Sequence, residues 1–391
     1  MTDAATTGDS AARENEPRID AEEMLEGILD WVAVETPSHH PDAVNRLADK
    51  VQAVWDGVGC TTERVPGRDG FGDHLLVRSP DWREGEPSIL VLSHIDTVHP
   101  IGTIEGDNPV RRDGDRVYGP GIYDMKAGAY LPYYAWRHLK RLGRSHGMPV
   151  TFLYVSEEEV GSPTSRAIIE REARQAKYVL VTEPARDGGK IVTARKGTAG
   201  FTVKITGRPA HAGARHEDGR SAVKELAHQI LEIEGYTDYA RGITTNVGVV
   251  QGGSGVNVVP REATARVDVR VVTAADGEEM TARMLNLRPR DPDVAIEVEG
   301  GMNRPPYERT AAVDTLFTQA QALAAKAGMD LQSTTLTGGG SDGNFTAALG
   351  VPTLDGLGAD GEGAHTLTEQ IYLSSLEPRA AMWVELLAGL K

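Results

Sequence analysis

The 391-residue sequence has one cysteine, fewer basic than acidic side chains, and no apolar run close to membrane-spanning length. Each scarcity excludes something. Cys60 alone cannot close an internal disulfide, which fits a reducing compartment. Forty-one Lys and Arg against 57 Asp and Glu give a net charge of −16. That argues against nucleic acid and against anionic membrane surfaces as partners. The roughly 20 consecutive apolar residues of a membrane helix are nowhere approached. The start, "MTDAATTGDSAARENEPRID", lacks the basic beginning and apolar centre of a secretion signal. Residues 1–19 therefore read as a disordered tail on a cytoplasmic protein. No internal repeat stands out, and "TGGGSDGN" lacks the lysine of a nucleotide-binding loop.

What is present is an ordinary globular composition, 40% hydrophobic and 25% charged, on a chain long enough for two or so domains. Apolar spacing predicts helices over 21–34, 42–58, 126–143 and 163–175. Between them, 88–98 ("SILVLSHIDTV"), 149–155 and 178–182 read as buried strands. Strands alternating with helices predict an α/β fold, a mixed or parallel sheet flanked by helices.

The pattern changes after about residue 198. "GFTVKITG" alternates apolar and polar residues. Helices over 219–234 and 276–287 and three further strand-like runs complete an α+β insert, four strands and two helices, over 198–303. Residues 20–197 and 304–391 then form the catalytic part, resuming with a helix over 311–328.

In open α/β sheets, sites form at the carboxyl ends of strands. His94 and Asp96 follow the strand that begins at Ser88. Asp124 lies in "YGPGIYDMKAG". Glu157, Glu158 and Glu159 follow the strand that ends at Val155, Glu183 follows the next, and His365 lies in "GEGAHTLTEQ". Taken singly, a strand-end histidine is an ordinary packed or surface residue, and a glutamate run is a solvated turn. Together, these carboxylates on one edge need a counter-cation. Two divalent metals would supply it, and a His, Asp and Glu donor set suits zinc, with cobalt or manganese as alternatives.

The same motifs resemble those of the dinuclear metallohydrolases that include acetylornithine deacetylase, succinyl-diaminopimelate desuccinylase, aminoacylase and carboxypeptidase G. "SHIDTVHP", "GPGIYDMKAG", "SEEEVGS", "TEP" and "GAH" occur in family order, and the resemblance covers nearly everything after residue 20. It implies a dinuclear zinc exopeptidase type of fold whose insert is a dimerisation and lid domain. It also implies that Asp124 bridges two metals, one also held by His94 and Glu183, the other by Glu159 and His365. Glu158 would be the general base, and the peptide bond after Asp124 would be cis. Asp96 would orient the site, and Glu157 would face solvent. His211, in "GRPAHAG", resembles a histidine that reaches a partner subunit's site, which implies a homodimer. Asn257, Arg270 and Gly340 resemble substrate contacts. The remaining histidines read as surface residues.

Pro120 in the bridging motif and "NRPPYERT" resemble the carboxypeptidase G (glutamate carboxypeptidase) branch. There, Arg304 matches an arginine that binds the substrate's carboxylate. The implied activity is release of a C-terminal amino acid, glutamate or similar, from an N-acyl or peptide substrate. "GGGSDGNF" is equally like the desuccinylase motif, so an N-acyl amino-acid deacylase is the alternative. A non-catalytic binder on the same scaffold would be expected to lack Glu158 or a ligand, and all are present.

Overall fold

The computed structural model describes residues 17–391. Most of the expected 1–19 tail therefore lies outside the described residues. The chain divides into two compact units. Unit 1 holds the described residues up to Thr193 with Arg309–Thr335 and Leu349–Lys391, and unit 2 holds Ala194–Glu308 with Leu336–Ala348.

In chain order, unit 1 opens with α1 (Ala21–Val32), α2 (Pro41–Asp56), β1 (Thr61–Val65), β2 (His74–Arg78) and β3 (Ser88–His94). It continues through β4 (Arg111–Asp113), β5 (Arg116–Tyr118), α3 (Ala127–Arg141), β6 (Val150–Val155), α4 (Arg166–Ala173) and β7 (Ala176–Val181). Local chemistry sets the helix starts. The Asp20 side chain accepts the Glu22 and Glu23 amides at the head of α1, and Pro41 begins α2, where its missing N–H costs nothing.

Unit 2 comprises β8 (Gly197–Thr206), α5 (Ala222–Glu234), β9 (Thr244–Gly252), β10 (Glu262–Val271), α6 (Ala274–Leu285), β11 (Ala295–Arg304) and, later in the chain, α8 (Gly343–Ala348). Unit 1 resumes with α7 (Ala311–Lys326) and ends with β12 (Thr353–Leu354), β13 (Gly361–Glu362), β14 (Gln370–Tyr372) and α9 (Leu376–Gly389).

The main sheet of unit 1 is six-stranded, in the order β1-β2-β6-β3-β7-β12. β6, β3, β7 and β12 run parallel, whereas β1–β2 and β2–β6 are antiparallel, so the sheet is mixed. Every residue of β3 and β6 is buried, as expected of strands covered on both faces. A second, four-stranded sheet, β13-β14-β5-β4, carries the loop from 363 to 369.

Unit 2 is an antiparallel sheet in the order β11-β8-β10-β9. Alternate residues of β8 and β10 turn inward, and Phe201, Val203, Val267 and Val269 pack with Leu226, Met280 and Met284 of the two helices. The other face is open. Residues 336–348, which the sequence pattern assigns to the catalytic part, belong to this unit. The Asn344 side-chain amide ties them to it by donating to the carbonyls of Lys196 at 3.1 Å and Pro305 at 2.8 Å. No helix among the described residues is long and apolar enough to cross a membrane.

Candidate active site

His94 is the last residue of β3 and is buried. Glu157, Glu158 and Glu159 follow β6, Glu183 follows β7, Asp124 lies in the turn before α3, and His365 lies between β13 and β14. The structure brings the side chains from these separate segments together. His94 Nε2 is 3.2 Å from Asp124 Oδ1 and 3.7 Å from Glu183 Oε1. On the other side of the same carboxylate, His365 Nε2 is 3.4 Å from Asp124 Oδ2 and 3.1 Å from Glu159 Oε2. Ligand atoms of His94, Asp124 and Glu159 lie within 4.8 Å of one another, as do those of His94, Glu158 and Glu183. The Asp124–Met125 peptide bond is cis.

The three successive glutamates diverge because Glu157 stands outside the helix, at a φ of −154°, whereas Glu158–Val160 form one turn of 3₁₀ helix, which rotates successive side chains by roughly 120°. Gly161, at a φ of 94°, closes the turn by donating its N–H to the Glu158 carbonyl at 2.8 Å. Glu157 does not face solvent. Its side chain is fully buried, and Oε1 accepts the backbone N–H of Thr164 at 2.8 Å and of Ser165 at 2.6 Å, and the Thr164 hydroxyl at 2.9 Å. Its role is local: it anchors the chain that follows the turn. Asp96 is likewise buried and accepts from the Glu158 and Glu159 amides, and its backbone carbonyl lies 3.0 Å from His94 Nδ1.

The electrostatics are those of a crowded anionic site. Burial works against a charged His94, yet its bonds to Asp124 and Asp96 hold its pKa well above the ordinary value. Burial would raise the Asp124 pKa, but His365 and His94 pull it well below the carboxylate range. Glu159 is pushed up to about 8 by burial and by the Asp124 charge. Its bonds to Asp124 and Glu159 raise His365 to about 11. The gathered carboxylates thus favour positive charge at both imidazole positions. Glu159 Oε1 is buried and has no hydrogen-bond partner. A buried carboxylate oxygen with no donor, beside two imidazoles and further carboxylates, fits a divalent cation of the zinc type.

The other five expected site residues form two groups within unit 2. His211 is exposed and bridges to Val258, and the Ala212 N–H donates to the Asn257 carbonyl at 2.9 Å, so His211 and Asn257 lie side by side. Arg304 on β11 lies in register with Thr198 on β8, as does Arg270 on β10. Arg270 pairs with Asp268 at 2.8 Å. A Cβ on Gly340 would lie 2.8 Å from Arg304 Cδ and 3.2 Å from Thr198 Cγ2, so a side chain there would displace the arginine. Arg304 itself is only 4% exposed and is paired with the buried Asp342 at 3.1 Å.

The sequence reading missed several supports. His74, His99 and His138 are buried, not surface residues. His74 lies between Ser156 and Thr164, and His99 binds Glu369. Their signal was faint: His99 stands inside the quoted "SHIDTVHP", and Glu369 follows His365 by four residues.

Similarity to known proteins agrees with this geometry. The model of peptidase family M20/M25/M40 matches residues 90–389. Carboxypeptidase G2 of a Pseudomonas species is 30% identical over 97% of this chain and 91% of its own. Succinyl-diaminopimelate desuccinylase of Bordetella parapertussis is 27% identical over 92% of this chain and 95% of its own. The crystal structure of aminopeptidase PepT from Bacillus cereus shares the fold at a TM-score of 0.75 and 24% identity, covering 95% of this chain and 98% of that one.

Proposed function

The chain belongs to peptidase family M20/M25/M40, which makes it a metal-dependent hydrolase of amide bonds, and we propose that it releases a C-terminal amino acid, glutamate or similar, from an N-acyl or peptide substrate. One observation carries the dinuclear reading. The two oxygens of Asp124 face different imidazoles, His94 at 3.2 Å and His365 at 3.4 Å, with Glu183 beside the first and Glu159 beside the second. Two divalent ions, zinc first and cobalt or manganese as alternatives, would take that arrangement, with Asp124 shared between them. When bound, such ions polarise the substrate carbonyl and lower the pKa of water.

Glu158 then takes the proton of the attacking water and returns it to the departing amine. Asp96 orients the turn that carries Glu158, and His211 donates to the developing oxyanion. The substrate assignment is supported by the identity to carboxypeptidase G2 and by Pro120. Asn257, Arg270, Arg304 and Gly340 are its proposed substrate contacts.

A homodimer is supported by unit 2. β9 is an edge strand with Val249 45% and Val250 51% exposed, and α5 leaves Leu231 74% exposed. Among the described residues no strand pairs with the outer edge of β9, and such an edge beside exposed apolar side chains is a natural site for a second copy. The free Cys60 supports a cytoplasmic location.

One observation favours the alternative, an N-acyl amino-acid deacylase. Asp342 already neutralises Arg304, which weakens it as a clamp for a substrate carboxylate. N-acyl glutamates, Xaa-Glu dipeptides and N-succinyl or N-acetyl amino acids, each assayed with zinc, cobalt and manganese, separate the two readings. Elemental analysis should approach two ions per chain, Asp124→Ala should lose both and His365→Ala mainly one. Full activity after exhaustive chelation overturns the metal reading.

A further inference from the structure

The carboxylate of Glu369 is buried, with 1% of the residue exposed, and meets four donors. Oε1 accepts the backbone N–H of Tyr123 at 2.9 Å and of Asp124 at 2.8 Å. Oε2 accepts the backbone N–H of Gly121 at 2.8 Å and His99 Nε2–H at 2.7 Å. A carboxylate can only accept, so the imidazole nitrogen facing it must carry the proton. The Glu369 carbonyl also takes the Gly119 N–H at 3.3 Å.

These partners come from segments that carry candidate ligands. His99 lies five residues after His94. The three amides lead to and include Asp124. Glu369 lies four residues after His365. The 121–124 turn is also packed hard against the 94–99 segment. Gly121 has a φ of 68°, and a Cβ there would lie 2.3 Å from Thr97 Cγ2. The spacing of His94, Asp124 and His365 is therefore referred to one buried carboxylate that hydrogen-bonds to backbone groups and His99 of their segments and not to their side chains.

We propose that Glu369, held by His99, is a positioning residue that sets the geometry and affinity of the metal site. The inference rests on the reading that His94, Asp124 and His365 hold metal. A site with two ions sharing Asp124 tolerates little drift between the segments on either side of it. Partners behind the ligands typically govern metal affinity by about 10–100-fold.

The test uses the full-length protein, stripped by chelation and titrated with zinc by calorimetry and with cobalt(II) by visible absorption. Glu369→Gln keeps the size but turns a donor toward a backbone N–H. We expect about 10–100-fold weaker zinc binding and an altered cobalt spectrum. If Glu369→Gln does not fold, His99→Ala decides. It leaves the three backbone bonds in place and should still weaken zinc binding about tenfold with an altered spectrum. Glu225→Gln removes a buried acceptor of unit 2 that receives the Arg290 and Asp291 amides at 3.0 and 3.1 Å, and should leave both readouts unchanged. Unchanged zinc affinity and cobalt spectrum in the folded variants, or an equal loss in Glu225→Gln, overturns the positioning role. Failure of the unaltered protein to bind zinc overturns the metal reading itself.

Discussion

Asp96 holds the backbone that presents Glu158. Its Oδ1 accepts the Glu158 N–H at 3.1 Å, and its Oδ2 accepts the Glu159 N–H at 3.2 Å and the Ser38 hydroxyl at 2.6 Å. The carboxylate also stands 3.4 Å from His94 Nδ1. Asp96→Asn replaces one acceptor oxygen with an NH₂ group that opposes a backbone donor. Steady-state kinetics on this variant should show kcat reduced at least about tenfold with KM changed much less, because the proposed general base, Glu158, is displaced and the binding surface is not. A variant with unaltered kcat would show that the turn holds its shape without this carboxylate.

Neighbouring glutamates should behave in opposite ways. Glu158→Gln keeps size and polarity but cannot take a proton, so kcat should fall about 10²–10⁴-fold at unchanged metal content. Glu157→Gln replaces a buried acceptor of three hydrogen bonds. It should lower the thermal midpoint, through a loss of about 1–3 kcal/mol, while the folded fraction keeps most of its kcat. Paired melting curves and kinetics decide. If Glu157→Gln abolishes chemistry and Glu158→Gln does not, the two roles are exchanged.

The strand ends that carry the candidate ligands were legible because buried parallel strands such as β3 and β6 are continuous apolar runs, and the polar residues that stop them stand out. The insert was legible because one face of its sheet is open, so β8 and β10 alternate. The short strands β4, β5, β13 and β14 have two or three residues each, too few for any period. α9 was missed because Leu376, Met382, Trp383, Val384 and Leu387 bury nearly all its sides and leave no single apolar stripe. Arg304 read as a clamp with no sign of its ion pair, because its partner, Asp342, is 38 residues away in sequence. Glu369 lies 245 residues from the Asp124 amide it receives, a relationship no local pattern encodes.

His211 offers a test of assembly. It is exposed, and its Nδ1 receives the Gly213 and Ala214 amides, each at 3.1 Å, which leaves Nε2 as the nitrogen able to donate to a substrate. If it serves the partner's site, His211→Ala and Glu158→Gln should each be inactive alone and regain partial activity when mixed and allowed to exchange subunits. Activity measured across a mixing series, with mass determined in solution, gives the answer. A fully active monomer excludes action in trans.

Arg304 decides the substrate. The residue is buried against Asp342, and its guanidinium lies over the Phe345 ring at 5.2 Å. Truncation therefore has two separable consequences. Removing one partner of a buried pair leaves an uncompensated charge, so Arg304→Ala should destabilise the protein by about 3–5 kcal/mol. Replacing both partners together, as in Arg304→Met with Asp342→Leu, should recover much of that stability because no lone charge is left. The double variant then isolates function. If Arg304 clamps a substrate carboxylate, the stable double variant should still lose about 1.5–3 kcal/mol in kcat/KM on substrates with a free carboxylate and little on the matching amides. If the arginine only braces unit 2 through Asp342, acid and amide should lose equally little. The second outcome would move the assignment from glutamate release to the deacylase, because no carboxylate-specific contribution of Arg304 would remain.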